Sequence, residues 1–555
     1  MLREMEMQTR LLPNVRKRRM LLILEHETNE VYFKYLWVII LNSHRQGTEV
    51  TLFDCDWENF EYANGNHDID RLTETSKMRD SFLKALHTFT LGAVKIVKVT
   101  SSEVEVAKDE IKNITNFSIA DKINPQFGNS LRSVFARDYL SSSNFTLKGR
   151  KMQKKFRVYV QSYLSMRALC QKILATKSFD LFLIANGRYP TQTAMRVVAE
   201  EFSLQYIFYE HGMPKGKSFH FGSFQTQEFL KMQDFLKLQI KAELEGMENE
   251  VILAADEWLE NQESNLKQNP FIVRDSKVSW SGNSWGGSPL AVIFNSSIDE
   301  KFSNMGVNLN GWESQKQGTV EIARKLKEQE FEVIVRIHPN ALNKSWWDLV
   351  NLVSFFERNQ INYVLPWNGP SSYLLIRRAN IVLTWGSTIS MESIARGIPT
   401  VVYGRTMYDE IAGATILNSS MLNSFDFRKL EKPNPASGKI AAYFNKNWGY
   451  RMTEYCSVQE METIESILKR NEVDSGFSIS RVWKNVPALH RFLQRFRGLV
   501  FWLHRLVRGR YSTPNDLRLF LRHFLPMKFV NKVADFVLFT CLRFRTLQTD
   551  GEISI

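Results

Sequence analysis

The stretch that decides the fold lies within residues 331–404 and reads EVIVRIHPN at 332–340, IVLTWGSTISME at 381–392 and GIPTVVYG at 397–404. The first two segments each begin with an apolar, β-branched run that changes abruptly to small or polar residues. Such changes mark strand ends, where α/β proteins place their ligand chemistry. The turn Gly386–Thr388 leads directly into a helical pattern, so free backbone N–H groups and a helix dipole are expected there. The stretch therefore predicts half of a domain that binds a nucleotide or a phosphate.

Apolar strands alternate with helical patterns both before and after this stretch. Buried strands are predicted in the first half of the chain at 20–24, 49–53, 180–185 and 205–209, and in the second half at 290–294, 331–337, 363–365, 381–384 and 400–403. Strands that alternate with helices predict parallel sheets with right-handed crossovers. The predicted fold class is therefore α/β, with two Rossmann-like doubly wound domains, the architecture called GT-B.

The chain of 555 residues is too long for one compact core, so we expect several domains. An N-terminal Rossmann-like, acceptor-side domain is predicted at 1–265, with a helical extension at 225–262 where apolar residues recur at three- and four-residue spacing. A linker follows at 266–288. The linker is rich in Ser, Asn, Gly and Trp. A C-terminal Rossmann-like, nucleotide-donor domain is predicted at 289–470, and a basic amphipathic helical tail at 475–545.

Composition places the chain among ordinary globular proteins, with 44% hydrophobic and 24% charged residues. No uninterrupted apolar run reaches the roughly 18 residues that a membrane-spanning helix requires. The apolar run 20–24 is too short for the core of a signal peptide, so we expect a cytoplasmic location. The four cysteines have no paired spacing, which predicts neither a disulfide framework nor a zinc site.

Most of the net charge of +13 lies in the tail, where residues 475–545 contain 14 Lys and Arg residues against two acidic residues. The segment from Arg481 to Arg510 alternates Arg with Phe, Leu, Val and Trp. A cationic amphipathic helix of this kind suits an anionic membrane surface. Packing onto the body and binding of nucleic acid are the alternatives, but the large apolar residues at helical spacing disfavour nucleic acid. We predict peripheral association of 481–545 with the inner face of the membrane and no nucleic-acid partner.

Two basic residues at the end of the strand predicted at 331–337 are candidates for contact with a donor phosphate. His338 precedes Pro339, which fixes φ and thereby pins the turn and the direction of the imidazole. Arg336 lies two residues earlier and is expected to point to the same side. The alternative is that His338 only stabilises the turn.

The turn before the helix at 388–396 supplies further candidates for binding the donor nucleotide. Gly386, Ser387 and Thr388 are placed to hold a phosphate, although Ser387 alternatively serves only as a helix N-cap. Glu392 lies one turn further and is placed to receive ribose hydroxyls, or alternatively to favour the positive helix end. Ser296 and Ser297 follow the first strand of the second half and either line the same pocket or form a loop.

The first half supplies candidates for the acceptor side of a cleft. Glu210 stands at a strand end, where a carboxylate can act as general base toward an acceptor hydroxyl. Asn186 and Arg188 end the neighbouring strand and are candidates for binding the acceptor or the donor phosphate. Alternatively, a salt bridge between Arg188 and Glu210 ties the two loops together. Glu25 follows the first strand together with another acidic residue and a histidine. It is a candidate for acceptor binding and also competes with Glu210 for the role of base.

Several of these motifs, taken together, resemble bacterial glycosyltransferases that build capsular or surface polysaccharides. The resemblance covers about residues 180–215 and 290–410 and rests on RIHPN at 336–340, TWGST at 384–388 with Glu392, GIP at 397–399, NGR at 186–188 and EHG at 210–212. The His-Pro and Ser/Thr pair is also similar to Kdo transferases, sialyltransferases and polysialyltransferases, and more loosely to CDP-glycerol glycerophosphotransferases. The resemblance implies that His338, Ser387 and Thr388 contact the donor phosphate and that Glu392 binds the ribose.

These inferences lead to the expectation of a metal-independent glycosyltransferase with Glu210 and His338 as catalytic residues. It would move a sugar from a nucleotide-sugar donor to a growing polysaccharide or glycolipid and would need no further cofactor. If the reaction inverts the configuration, Glu210 is the base. If it retains the configuration, Glu210 binds the acceptor. A polyol-phosphate transferase of the CDP-glycerol type and a non-catalytic, membrane-associated assembly protein are the alternatives.

Overall fold

The protein was analysed as a computed structural model, and its chain divides into two compact units, Met1–Gly476 and Phe477–Ile555. The structure describes parts of the first unit: residues 18–24, 30–55, 69–99, 108–136, 150–212, 218–226, 228–264, 287–296, 309–338, 346–365, 370–457 and 459–466. The second unit, which holds most of the basic tail predicted at 475–545, lies outside the described residues.

Thirteen strands are present in the described part of the chain. They are β1 (Arg19–Leu24), β2 (Glu49–Cys55), β3 (Lys95–Val99), β4 (Leu181–Ala185), β5 (Gln205–His211), β6 (Ser218–Gly222), β7 (Leu290–Phe294), β8 (Glu332–Arg336), β9 (Asn362–Val364), β10 (Ile381–Trp385), β11 (Thr400–Gly404), β12 (Thr415–Ile416) and β13 (Tyr450–Arg451).

Helices connect most of these strands. They are α1 (Glu30–Arg45), α2 (Ile69–Phe89), α3 (Lys108–Asn113), α4 (Phe117–Ile123), α5 (Pro125–Ala136), α6 (Arg150–Thr176), α7 (Pro190–Glu201), α8 (Phe229–Glu243), α9 (Glu248–Ser264), α10 (Gln315–Glu328), α11 (Trp346–Arg358), α12 (Ser372–Arg378), α13 (Ile389–Ile394), α14 (Asp409–Ala412) and α15 (Pro435–Asn447). Helical residues 459–466 follow.

The first sheet has seven strands in the order β13-β6-β5-β4-β1-β2-β3. The five strands from β5 to β3 are mutually parallel, whereas β6 and β13 add an antiparallel edge. The strand order reverses between β1 and β4, which makes this pair the topological switch point. Ligands of doubly wound sheets bind beyond the carboxyl ends of the strands at such a point.

The second sheet has six strands in the order β12-β11-β10-β7-β8-β9, and every pair is parallel. Its switch point lies between β7 and β10. Both strands are buried along their whole length, as their mainly apolar sequences favour in a sheet with helices on both faces. The two sheets confirm the predicted α/β class with two Rossmann-like doubly wound halves.

Apolar side chains cover the two faces of the first sheet in separate cores. One core combines the sheet with helices α4 to α7 and includes Phe127, Tyr163 and Phe182. The other includes Trp37 and Phe82 from helices α1 and α2. The first core accounts for the helical region at 108–176, most of which the sequence left unassigned because its polar residues obscure the apolar periodicity.

The chain crosses between the two halves twice. A single helical region predicted at 225–262 breaks into α8 and α9, with Gly246 in the left-handed conformation at the turn (φ 77°). Both helices reach the second half, where Lys439 Nζ lies 2.7 Å from the Asp256 carboxylate of α9. The chain then returns, because β13 pairs with β6 and Ile464 belongs to the core of the first sheet. No pattern in the sequence indicated this return.

Candidate functional site

A buried polar network lies at the carboxyl end of β5 and is centred on Glu210, which is only 4% exposed. The Tyr32 hydroxyl of α1 donates to Glu210 Oε1 at 2.5 Å, and the Asn186 amide donates to Glu210 Oε2. The backbone N–H of His211 also donates to Oε1, at 3.2 Å, and His211 Nε2 lies 3.4 Å from the same oxygen. Two strand ends and one helix therefore fix the direction of this carboxylate.

The turn after β4 brings Asn186 to Glu210 through unusual backbone conformations. Asn186 and Gly187 both have positive φ values, 46° and 85°. Gly187 also has no space for a side chain, because an added Cβ would lie 2.3 Å from the Phe208 ring. The Gln192 side chain holds the turn by accepting the Gly187 N–H at 3.1 Å. The NGR sequence thus forms a tight turn that aims the Asn186 amide at Glu210.

Arg188 was predicted together with Asn186 and Glu210 for the acceptor side, and it lies beside the same turn. Its guanidinium is 5.1 Å from the centre of the Tyr189 ring, and its Nη2 donates to the Tyr189 hydroxyl at 3.1 Å. These contacts place a partly buried cation next to the Glu210 network. Glu25 lies outside the described residues.

The second sheet carries a group of buried polar atoms around its switch point. Asn295 follows β7 directly, Thr384 and Trp385 end β10, and Glu392 lies in α13. Both polar atoms of the Asn295 amide, Thr384 Oγ1, Trp385 Nε1 and Glu392 Oε2 are buried without a hydrogen-bond partner among the described residues. Buried polar atoms are nearly always paired in folded proteins. Because doubly wound sheets bind their ligands at the switch point, this group of polar atoms is a candidate ligand site.

Glu392 is buried with its carboxyl group only partly satisfied. Burial raises the pKa of Glu392, whereas the nearby charge of Arg396 and hydrogen bonds from Thr388 and Tyr373 act in the opposite direction. The raised pKa means that removal from water outweighs the donors that favour the charged form. A ligand that brings hydroxyl donors to the free Oε2 would stabilise the carboxylate.

The turn between β10 and α13 has the geometry that a glycine allows. Gly386 has a φ of 57°, and Thr388 precedes the helix without a side-chain capping bond. The Ser387 hydroxyl accepts from the backbone N–H of Ile389 at 3.4 Å, which is a long hydrogen bond of the kind expected from a helix N-cap. Because α13 has only six residues, an anion here would depend more on donors of the turn than on a helix dipole.

The basic residues predicted at the end of β8 differ in their surroundings. Arg336 is 2% exposed and donates from Nη1 to the carbonyl of Leu365 at 2.5 Å. Burial lowers the pKa of Arg336 to about 10, which leaves the guanidinium charged at neutral pH. His338 lies just beyond the strand and is half-buried. Arg336 therefore belongs to the interior of the strand end, while His338 lies nearer the surface.

Of the two serines predicted to line the pocket after β7, the structure describes Ser296. The Ser296 carbonyl accepts from Gln315 Nε2 at 3.2 Å, which ties the end of β7 to the start of α10. Ser297 lies outside the described residues. The neighbouring Asn295, which the sequence analysis did not select, is the residue of this loop with unpaired buried atoms.

Sequence reasoning also missed Tyr32, which lies 178 residues from Glu210. Nothing in the sequence of α1 distinguishes this tyrosine, because its partner is set by the packing of α1 against β5. Asn295, in contrast, had a usable signal, since a polar amide directly follows an all-apolar strand at a switch point.

Two kinds of site were sought across the part of the chain that the structure describes. No group of three or more His, Cys, Asp or Glu side chains in it is arranged to hold a metal ion. None of its helices combines the length and apolar character needed to cross a lipid bilayer. Metal independence and membrane association both remain predictions.

No protein-family model matches the chain, and no curated protein matches it in sequence. Among solved structures, KpsC of Thermosulfurimonas dismutans, a beta Kdo 2,7 transferase, is 13% identical with a TM-score of 0.29, covering 55% of this chain and 88% of that one. The trehalose 6-phosphate synthase of Burkholderia multivorans is 11% identical with a TM-score of 0.29, covering 87% and 100%. The UDP-GlcNAc 2-epimerase of Methanocaldococcus jannaschii is 14% identical with a TM-score of 0.25, covering 76% and 98%. Likenesses this weak assign no function.

Proposed function

We propose that this chain is a glycosyltransferase of the GT-B type, which moves a sugar from a nucleotide-sugar donor to a growing capsular or surface polysaccharide or to a glycolipid. The observation that carries the proposal is the group of buried polar atoms of Asn295, Thr384 and Glu392 near the switch point of the second sheet, which have no hydrogen-bond partner among the described residues. Oxygen-rich ligands with many hydroxyl groups match these donors and acceptors. The resemblance of the strand-end motifs to polysaccharide-building transferases supports the same function.

The donor nucleotide would bind to the second half. The ribose would satisfy Glu392, and the phosphate would lie between His338 and the turn that contains Ser387 and Thr388. In the transfer step, the bond between the anomeric carbon and the phosphate oxygen breaks, so negative charge develops on the departing phosphate. Hydrogen-bond donors fixed before the reaction can stabilise that charge. His338 and the turn would act in this way.

The acceptor would lie against the first half, near Glu210. In an inverting reaction, an acceptor hydroxyl attacks the anomeric carbon while its proton passes to the Glu210 carboxylate. Tyr32 and Asn186 would hold that carboxylate in the required direction. In a retaining reaction, the same carboxylate would bind the acceptor, with Arg188 nearby.

Product analysis with purified protein, a nucleotide sugar and a glycan acceptor tests the proposal. We expect a glycosidic bond in the product, and loss of most transfer in Glu210→Ala and His338→Ala. Arg428→Ala, at an exposed residue of the second half, is the matched control and should keep full activity. A phosphodiester in the product would instead establish polyol-phosphate transfer. Absence of transfer by the purified wild type, together with unchanged polymer production in cells that carry either site variant, would favour a non-catalytic role.

A further inference from the structure

Asn295 combines deep burial with an unused amide. The residue is 4% exposed, and neither Oδ1 nor Nδ2 has a partner among the described residues. Its backbone N–H donates to the Arg336 carbonyl at 3.1 Å and thereby extends the β7–β8 ladder. Leaving a buried polar group unpaired costs about 1–3 kcal/mol. No described residue uses this amide in a hydrogen bond, and a bound ligand would offset the cost.

The neighbouring strand also carries buried polar atoms at this point. Phe294 pairs with Thr384 across β7 and β10, so Asn295 and Trp385 are the next residues on the two adjacent strands. Thr384 Oγ1 and Trp385 Nε1 are also buried without partners in the described structure. Unpaired donors and acceptors thus occupy both sides of the switch point.

The chemistry of the amide limits the class of ligand. Nδ2 can donate two hydrogen bonds, whereas Oδ1 can only accept. A phosphate at neutral pH offers almost only acceptors and would leave Oδ1 unpaired. A sugar hydroxyl both donates and accepts, so a pair of hydroxyls satisfies the whole amide.

We propose that Asn295 binds hydroxyl groups of the sugar that is transferred, and so contributes to selection of the donor. The inference rests on the proposed function, in which Glu392 takes the ribose and the turn at Ser387 takes the phosphate. Asn295 lies on the other strand of the switch point and is therefore assigned to the sugar, which is the third part of the donor.

The test compares free nucleotides with their sugar conjugates by isothermal titration calorimetry. The probes are UDP, CMP and GDP against UDP-glucose, UDP-N-acetylglucosamine, CMP-N-acetylneuraminic acid and GDP-mannose. For the conjugate that binds the wild type most tightly, we expect Asn295→Ala and Asn295→Leu to weaken binding about five- to tenfold. Affinity for the matching free nucleotide should change less than about twofold.

Thermal unfolding of the ligand-free variants separates binding from a structural role. Asn295→Leu removes two unpaired polar atoms, so its Tm should equal or exceed that of the wild type. Asn380→Leu is the matched control, because Asn380 Oδ1 accepts the Leu290 N–H at 2.7 Å at the opposite end of the same strands. This control should lower the Tm and leave the ratio of conjugate to nucleotide affinity unchanged.

The outcomes distinguish the inference from the proposed function. Equal loss of conjugate and free nucleotide in the Asn295 variants, or no loss of either, would overturn the inference alone. A lowered Tm in Asn295→Leu together with unchanged affinities would assign the residue a structural role. A wild type that binds neither nucleotides nor conjugates would overturn the proposed function as well.

Discussion

At the scale of single residues, the turn after β4 shows how backbone geometry positions a candidate catalytic group. Gly187 has a φ of 85°, and an added Cβ would lie 2.3 Å from the Phe208 ring and 2.7 Å from Gln225. Gly187→Ala should therefore combine backbone strain with overpacking and lower the free energy of unfolding by about 2–4 kcal/mol. Urea unfolding of the purified variant measures this loss.

A second glycine separates the two causes. Gly47 has a similar φ of 78° but no atom within 4 Å of an added Cβ. Gly47→Ala should cost only the strain, about 1 kcal/mol. Equal losses in the two variants would show that contact with Phe208 does not constrain the turn.

Glu392 predicts a dependence of stability on pH. Burial raises its pKa in the folded protein, so the folded state holds the proton more tightly than the unfolded state. The contribution of this group to stability is therefore complete below the unfolded pKa of about 4.3 and is lost as pH rises through the folded value. Relative to wild type, Glu392→Gln should become progressively more stable over that range.

Urea unfolding of wild type and Glu392→Gln at a series of pH values from 4 to 8 checks this sign. Glu328→Gln, at an exposed position of α10, is the control and should follow the wild type throughout. A difference between Glu392→Gln and wild type that shrinks with rising pH would mean that the carboxylate is stabilised in the fold.

The sequence analysis selected candidate site residues mainly where a polar residue follows a predicted apolar strand. Glu210 and Asn186 were found because both follow apolar strands, and the structure joins them by a hydrogen bond. Tyr32 was missed because it lies within an amphipathic helix, where an aromatic residue is indistinguishable from the core. Arg336 was predicted to contact the donor phosphate. In the structure its guanidinium donates a hydrogen bond to the Leu365 carbonyl, and this contact depends on how the neighbouring strand β9 packs.

At the scale of elements, the position of α13 depends on its crossing with α15. An added Cβ at Gly438 would lie 2.4 Å from the Ala395 backbone nitrogen and 2.8 Å from the Met391 carbonyl oxygen. Backbone atoms cannot give way without moving the helix, so Gly438→Ala should shift α13, which carries Glu392. We expect a lower Tm and weaker stabilisation by nucleotides, both measured by thermal unfolding.

The control for this crossing is Gly246→Ala in the turn between α8 and α9, where an added Cβ meets nothing within 4 Å. It should change nucleotide stabilisation little. If Gly438→Ala keeps the wild-type response to nucleotides, α13 does not belong to the binding site.

Elements were predicted best where apolar runs are short and sharply bounded. All five strands predicted in the second half are present, and four of them are buried, mainly apolar runs that end in polar or small residues. The helical region predicted at 225–262 is present as two helices, and only tertiary packing selects the turn at Gly246 between them. The short strand β13 was not foreseen, because two residues carry no periodic signal.

At the scale of the whole molecule, the predicted tail begins where the first compact unit ends. That unit extends to Gly476, whereas the basic amphipathic segment 481–545 lies outside the described residues. A chain that ends after Gly476 should lose binding to vesicles with anionic lipids, because the cationic apolar surface is removed. Vesicle sedimentation measures this loss, and neutral vesicles are the control. Undiminished binding to anionic vesicles would contradict a membrane role for the tail.

The central claim is that a donor nucleotide binds at the switch point of the second sheet, and amide hydrogen exchange tests it most directly. The protein is exchanged alone and with saturating UDP, CMP or GDP. We predict that at least one nucleotide slows exchange in residues 294–296 and 384–392, and has little effect on 184–188 and 209–212. Failure of all three to protect the second sheet, or protection confined to the first, would contradict the account.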